Sequence, residues 1–127
     1  MVELTVLNTM AASDFTQALD RHLEWGLRVL DLKDLVLGKR IVDLTAEEAL
    51  QAQALIRDRG LSVYCFSTQL FEPELELGEE VFRRDHLGKV AHTIEIARIL
   101  QPKMIRLLAA QTSRRAEIDD SCAYLRA

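Results

Sequence analysis

The sequence predicts an α/β fold in which about four strand–helix units alternate and the strands run parallel. Three observations lead to this prediction: short apolar runs recur along the 127 residues, amphipathic segments separate them, and glycines stand where a helix gives way to a strand. Parallel neighbours in a sheet need a crossover between them, usually a helix, so this alternation is typical of a parallel sheet. Two architectures satisfy it, an open doubly wound sheet and part of a closed (β/α) barrel.

The composition is that of a globular protein of one domain. Hydrophobic residues make up 49% of the chain, and its net charge of -4 comes from 16 basic and 20 acidic residues that are interspersed. This distribution excludes a basic nucleic-acid-binding face. No run approaches the roughly 18 apolar residues of a membrane span and no signal peptide is recognisable, so we expect a soluble cytoplasmic protein. Cys65 and Cys122 form no CxxC pair and are expected to be buried free thiols.

The first unit is predicted from a strand-like run and from a helical pattern that has a capping residue at its start and a glycine at its end. Residues 3–8, ELTVLN, are rich in leucine, valine and threonine and are predicted to form a buried strand. Ser13 stands as an N-cap before apolar residues at helical spacing, and Gly26 follows where helices commonly end. The segment between Ser13 and Gly26 is therefore the first predicted helix.

The second unit repeats this plan. Residues 27–32 return to strand character, and a polar loop leads from them to a second helix. Thr45 and Glu48 have the spacing of a capping box at the start of that helix. We predict that the helix runs from Thr45 to about Arg59, where Gly60 ends it.

The third unit has a longer loop. Residues 61–67 contain β-branched and aromatic residues and are predicted to be the third strand. A loop containing Pro73 follows, and the third helix ends before Pro102. Helical spacing predicts that its core face consists of Leu87, Val90, Ala91, Ile94 and Ala97.

The fourth unit is predicted to be incomplete. Residues 104–109 form the fourth predicted strand, and a fourth helix is predicted after them. Ile118, Cys122 and Leu125 stack on one face of that helix, and no later element is present to cover them. We therefore expect the chain to be part of a larger fold.

Polar residues within the predicted strands mark a candidate binding site. Side chains alternate along a strand, so Asp31 and Lys33 share one face of the second strand and Arg106 shares a face of the fourth with its apolar neighbours. In a barrel, the inward faces near the carboxyl ends of the strands form the floor of the active site. The residues predicted to ring this cavity are Asp31, Lys33, Ser67, Thr68 and Arg106. The structural alternative is that Asp31 pairs with Lys33 and that Arg106 pairs with a buried acid.

Other motifs with known chemistry are missing. The five glycines are isolated, so neither of the glycine-rich motifs that hold nucleotide phosphates is present. His86 and His92 are six residues apart on a predicted helix and fall on different faces, so we expect no metal site there. His22, beside an apolar helical stripe, is expected to be a partly buried structural residue.

Three stretches together resemble the xylose isomerase-like TIM barrels, the sugar phosphate isomerase and epimerase group. They are LRVLDLKDLVLGKRIVDLTAEE, GLSVYCFSTQLF and HLGKVAHTIEIARILQPKMIRLL, and with their order and spacing they cover nearly the whole chain. The resemblance implies that residues 1–127 are a single partial domain, the N-terminal half of an eight-unit barrel. It also implies that Lys33, Ser67, Thr68 and Arg106 approach a sugar-like substrate under the loop from residue 69 to residue 80.

The resemblance implies a reaction as well. The complete enzyme would move a proton between carbons of the substrate with the help of a divalent metal. Its metal ligands and catalytic carboxylates would lie in the second half of the barrel, so this chain is expected to hold no cofactor and to be inactive alone. It is also expected to self-associate, because half a barrel exposes an apolar inner face and two sheet edges.

Two other interpretations stay open on the sequence. One is a complete small α/β module that binds a ligand or acts as a scaffold without catalysis, its open sheet covered by its own helices. The other is a half-barrel that dimerises into a closed barrel and binds a small ligand without turning it over. A compact monomer would favour the first of these, and a defined dimer would favour the second.

Overall fold

A computed structural model describes residues 2–72 and 78–109, which form a parallel sheet with helices between its strands. The strands are β1 (Val29–Leu32), β2 (Ser62–Ser67) and β3 (Met104–Arg106). They are hydrogen-bonded in the order β1-β2-β3, and both pairs are parallel. The predicted α/β class with parallel strand–helix units is confirmed. The predicted fourth helix and Cys122 lie outside the described residues.

The helices lie before, between and after these strands. A 3-10 turn (Ile41–Asp43) follows β1, and a π turn (Arg83–Leu87) joins α4 to α5 in one continuous helical segment. No helix in the described ranges is long and apolar enough to cross a membrane. The α-helices are α1 (Asn8–Ala11), α2 (Phe15–Glu24), α3 (Ala46–Asp58), α4 (Glu79–Phe82) and α5 (Gly88–Leu100).

The ends of α2 and α3 follow the local signals in the sequence. Asp14, one residue after the predicted cap, accepts a hydrogen bond from the backbone N–H of Gln17 at 2.9 Å. Thr45 caps α3 as predicted, and its hydroxyl accepts a hydrogen bond from the N–H of Glu48. These bonds satisfy donors that the first turn of a helix leaves without partners.

The predicted strand at residues 3–8 is largely wrong. Only Leu7 makes a bridge, a parallel one to Asp31, and α1 begins at the next residue. The pairing ends at Asn8, whose buried side chain donates to the carbonyl of Asp34 at 2.7 Å and accepts from the N–H of Lys33 at 2.9 Å. A side-chain amide thus takes the place beside β1 that a continuing backbone would occupy.

The other three predicted strands are present and shorter than predicted. The strand predicted at 27–32 starts at Val29, and the one predicted at 104–109 ends at Arg106. Beyond Arg106, the N–H of Leu108 donates to the carbonyl of Leu70, which belongs to the loop after β2. The chain therefore leaves the sheet because its next backbone bond goes to a loop.

The pairing of β1 with β2 includes one extra residue in β2. The residue before Asp31 pairs with Val63 whereas Asp31 itself pairs with Cys65, so Tyr64 has no partner in β1. In a regular strand, Val63 and Phe66 would point to opposite faces. The irregularity lets both pack in the core, and it leaves Asp31 and Cys65 on the other face.

The helices form one layer in the same order as the strands. Asp20 of α2 forms an ion pair of 2.7 Å with Arg59, directly after α3. The side chain of Gln53 in α3 donates to the carbonyl of Ile99 in α5, and these two helices are in contact. Within the described sheet, the strand order shows none of the reversal that marks a doubly wound sheet.

The predicted core face of α5 is only partly correct. The buried residues of this helix are Thr93, Ile96 and Leu100, whereas Ile94 is 43% exposed. The helix has two apolar sides, and only one of them faces the core. The other lines an open groove beside β3, which we call the β3 groove and define by Leu70, Val90, Thr93, Ile94, Ile105 and Leu107.

Candidate functional site

Polar side chains meet where β1, β2 and β3 end. The hydroxyl of Ser67 donates to a carboxylate oxygen of Asp31, and the hydroxyl of Thr68 donates to the carbonyl oxygen of Arg106. The Arg106 guanidinium in turn donates to the carbonyl of Thr68 at 3.5 Å. Because the strands are parallel, their carboxyl ends share one edge. Four of the five residues predicted to ring the cavity therefore lie at this edge in two hydrogen-bonded pairs, Asp31 with Ser67 and Thr68 with Arg106, which we together call the strand-end network.

The structural alternative for these charged residues is not found among residues 2–72 and 78–109. The ion pairs in these ranges include neither Asp31 with Lys33 nor Arg106 with a carboxylate. Ser67 and Thr68 are each only 1% exposed, whereas Arg106 is exposed. The two hydroxyl groups of the network are therefore buried, whereas its guanidinium is accessible to a ligand.

Cys65 belongs to the same face of the sheet. Its sulfur lies 3.9 Å from the hydroxyl oxygen of Ser67. Burial and the nearby charge of Asp31 raise the pKa of the Cys65 thiol, so it is protonated at neutral pH. Cys65 is a buried free cysteine, as the sequence predicts, and its environment does not produce a nucleophilic thiolate.

A small cleft that is open to solvent lies beside the strand-end network, between the ends of β1 and β2 and the π turn. Lys33, the fifth predicted residue, lines this cleft and not the network itself. Ser67 and Thr68 belong to both features. We call it the rim cleft, and its polar lining is Lys33, Asp34, Arg40, Ser67, Thr68, Gln69, Asp85, His86 and Lys89.

His86 is a rim-cleft residue that sequence reasoning missed. The backbone N–H of Phe71 donates to Nδ1 of His86 at 2.9 Å, so in the neutral ring the proton lies on Nε2. The ring stacks on Phe82 with 5.8 Å between centroids. Burial lowers the pKa of His86. The charge of Asp85 acts to raise this pKa, but the overall shift is downward. At neutral pH the cleft therefore contains an uncharged imidazole with one N–H donor.

The sequence analysis considered His86 only as a metal ligand, and the spacing of metal ligands does not indicate its place in the rim cleft. His86 does lie on a different side of the helical segment from His92, whose Nε2 is 2.6 Å from the carbonyl oxygen of Leu44. His22 is fully buried, more than predicted, and its Nδ1 lies 2.7 Å from the carbonyl oxygen of Ala18. The signal available for His86 was the cluster of charged residues around it, RRDH followed by Lys89.

The cations of the rim cleft outnumber the carboxylates that pair with them. Arg40 and Lys89 share Asp43, at 2.6 Å and 3.4 Å respectively. Burial acts to raise the pKa of Asp43, but the hydrogen bonds and charges of these two cations lower it overall. Lys33 has no ion-pair partner in the described part of the chain.

The described residues do not supply a metal centre. Across both described ranges, no three His, Cys, Asp or Glu side chains are placed to hold one metal ion. The strand-end network contributes a single carboxylate, that of Asp31, and a hard divalent cation prefers several oxygen ligands. The donor set for the metal implied by the resemblance is therefore not in this part of the chain.

Comparison with known proteins adds no relative. No family profile, no curated protein and no solved structure matches this chain. The features of this chain that bear on function are therefore the strand-end network, the rim cleft and the order of the strands.

Proposed function

We propose that this chain is the sugar-binding half of a (β/α) barrel of the xylose isomerase-like, isomerase or epimerase type. The main support is the strand order β1-β2-β3 with its helices in one layer and the strand-end network on the opposite face. A barrel is built from sequential parallel strands with the helices outside, and its substrates bind at the carboxyl ends of the strands. The bridge between Leu7 and Asp31 supports a further neighbour on the other side of β1.

The strand-end network has the chemistry that a polyhydroxyl compound needs. Asp31 has a second carboxylate oxygen that accepts no hydrogen bond from the described residues, and Arg106 offers exposed N–H donors. A sugar hydroxyl donates to the first and accepts from the second. Binding is assigned to these side chains because both are charged, and charge-assisted hydrogen bonds are stronger than neutral ones.

Catalysis by this chain alone is not part of the proposal. In the complete enzyme, a carboxylate would move a proton between two carbons of the sugar-like substrate while a divalent metal polarised the adjacent oxygens. Among the described residues, the strand-end network has neither a metal-ligand set nor a second carboxylate. The chain would bind its ligand in the cytoplasm and would gain activity from the missing strand–helix units.

Ligand titration tests the binding part of this proposal. We expect millimolar binding of aldoses and ketoses, followed by two-dimensional NMR, with shifts at the ends of β1, β2 and β3. Arg106→Gln should weaken binding about tenfold, because a charged donor is lost. Arg98→Gln, an equal charge change on an exposed position of α5, should leave binding unchanged. Absence of saturable binding to every aldose and ketose in the wild-type chain would reject the proposal.

Sedimentation velocity with an apolar-surface dye tests the partial-barrel aspect. A self-associating chain that binds the dye supports missing strand–helix units, because three described strands cannot close a barrel and the β3 groove is apolar. A compact monomer that binds no dye would instead favour the self-contained α/β module. The two experiments are independent, since a self-contained module could still bind a sugar.

A further inference from the structure

We propose that the hydrogen bond from the backbone N–H of Phe71 to Nδ1 of His86 is a pH-sensitive latch. It holds residues 69–72, the short segment after β2, against the π turn at neutral pH. It opens when His86 takes up a proton. We call residues 69–72 the latch segment. The proposal goes beyond sugar binding and does not depend on it.

The latch bond requires the neutral form of His86. A backbone N–H can only donate, so Nδ1, which lies 2.9 Å from the nitrogen of Phe71, must present its lone pair. In the protonated ring, both nitrogens carry a hydrogen. Two N–H groups would then face each other where a hydrogen bond had been, and one of them has to move away.

The latch segment is a turn with a disfavoured backbone conformation. The N–H of Glu72 donates to the carbonyl of Gln69 at 3.2 Å, and Phe71, the third residue of this turn, has a φ of +71°. Glycine or asparagine usually occupies such a position, because a side chain with a Cβ is disfavoured in the left-handed region. The bond to His86 therefore stabilises a conformation that the turn itself does not favour.

Two further hydrogen bonds limit the region that is released. The N–H of Leu70 donates to the hydroxyl of Thr68 at 3.3 Å, and the carbonyl of Leu70 accepts from the N–H of Leu108 at 3.0 Å. Neither bond involves a group that titrates between pH 5 and pH 8. Release therefore begins at Phe71, and Leu70 keeps its place beside β3.

Release of the latch changes the rim cleft, because the cleft is lined by Gln69 of the latch segment and by His86. The rings of Phe71 and Phe82 are in contact, with 5.2 Å between their centroids, and His86 stacks on Phe82 in turn. When Phe71 moves, this row of three rings is broken at one end. The rim cleft then opens further to solvent on the side of the π turn.

Burial and four charged groups determine the pH at which the latch opens. Burial lowers the pKa of His86, and so do the charges of Lys89 in α5 and Arg40 before the 3-10 turn. Asp85 in the π turn and Glu72 in the latch segment act to raise this pKa, but the overall shift from the ordinary value of 6.5 is downward. The proton therefore binds the released form more tightly than the latched form, so the latch is closed above pH 6.5 and opens as the pH falls below it.

Amide hydrogen exchange, followed by NMR from pH 8 to pH 5, tests the latch. After correction for the intrinsic pH dependence of exchange, the protection factor of the Phe71 amide should fall about tenfold across this range, because one hydrogen bond is lost. The amides of Leu70 and of α3 should keep their protection. The Phe71 resonance should shift in a single transition below pH 6.5.

Two substitutions of His86 separate the latch from other effects of acid. His86→Asn provides an amide oxygen near the position of Nδ1 and does not titrate, so the Phe71 amide should stay protected at pH 5. His86→Ala removes the acceptor, so protection should be low at both ends of the range. The matched control is His92→Gln on the same helical segment. Nε2 of His92 lies 2.6 Å from the carbonyl oxygen of Leu44, and protonation leaves that bond intact, so the Phe71 transition should persist in this variant.

Constant protection of the Phe71 amide in the wild-type chain would overturn the proposal. A transition that persists in His86→Asn, or one that disappears in His92→Gln, would overturn it as well. A loss of protection shared equally by the amides of α3 would show global unfolding in place of a latch. None of these measurements uses a ligand, so failure of the latch is distinguishable from failure of the proposed sugar binding.

Discussion

Asn8 holds the N-terminal segment at the carboxyl end of β1. It is 1% exposed and bonded to the backbone of both Lys33 and Asp34. Asn8→Ala leaves an N–H and a carbonyl without these partners, so the free energy of unfolding should fall by about 1–3 kcal/mol. Urea denaturation measures this change. Gln51→Ala, which removes an amide from an exposed position of α3, should change it little.

His86 gives the protein a predictable response to acid. Its folded-state pKa is lowered by burial from the ordinary value of 6.5, so the unfolded chain takes up the proton first. The free energy of unfolding should therefore be highest above pH 6.5 and fall as the pH decreases below that value. Protonation of Nδ1 would also remove the acceptor of the Phe71 N–H.

Thermal unfolding from pH 8 to pH 5 measures the effect, and His86→Gln should flatten the part of the profile that belongs to this residue. An unchanged slope in the variant would contradict the assignment.

The residues of the strand-end network were predictable, whereas the rim-cleft residues contributed by the π turn and the helix after it were not. Asp31, Ser67 and Arg106 follow from the two-residue period of strands and from the shared edge of parallel strands, both of which are visible in the sequence. The position of His86 depends on Phe71, fifteen residues earlier, and on a π turn. The charged residues around His86, RRDH and Lys89, were a local signal, but a surface histidine can have the same neighbours.

At the scale of an element, replacement of a glycine by alanine should have opposite effects on stability after a helix and inside a helical segment. Gly60, after α3, has a φ of +68°, and a Cβ there would meet no atom within 4 Å, so the cost of Gly60→Ala is conformational. We expect it to lower the free energy of unfolding by about 1–2 kcal/mol.

Gly88 begins α5 with a φ of -62°, and a Cβ there would make an ordinary contact of 3.5 Å with the carbonyl oxygen of Arg83. Gly88→Ala should raise the free energy of unfolding by about 0.4–1 kcal/mol. Changes of the same sign in the two variants, measured by chemical denaturation, would contradict this assignment.

The elements that were predicted well are those defined by their own residues. Thr45 caps α3 as predicted and the cap of α2 is Asp14, one residue after the predicted Ser13, because caps act within a few residues. The strand predicted at 3–8 is reduced to the bridge at Leu7, and Asn8 ends it there by bonding to residues more than two dozen positions away. Tyr64 is the extra residue of β2 that has no partner in β1, and its position depends likewise on the packing of two strands against the helices.

At the scale of the whole molecule, the β3 groove should control self-association. Ile94 and Leu107 are 43% and 49% exposed, and they lie beside the last described strand. Ile94→Lys places a charge in the groove and should shift the sedimentation profile towards the monomer and lower dye binding. Leu50→Lys is the control, because Leu50 is 55% exposed on α3 and does not line the groove. An equal effect of both variants would show that the groove is not the contact surface.

The number of residues in the π turn determines which side chains line the rim cleft. A π turn contains one residue more than the α-helical turn that it replaces, and removing that residue rotates one flank of a helix by about 100° relative to the other. Asp85 and His86 lie within this turn and Lys89 directly after it. A deletion of one residue here would exchange which side chains reach the cleft while every one of them stays in the sequence. The set of side chains that lines the rim cleft can therefore be changed by deleting one residue, without substituting any.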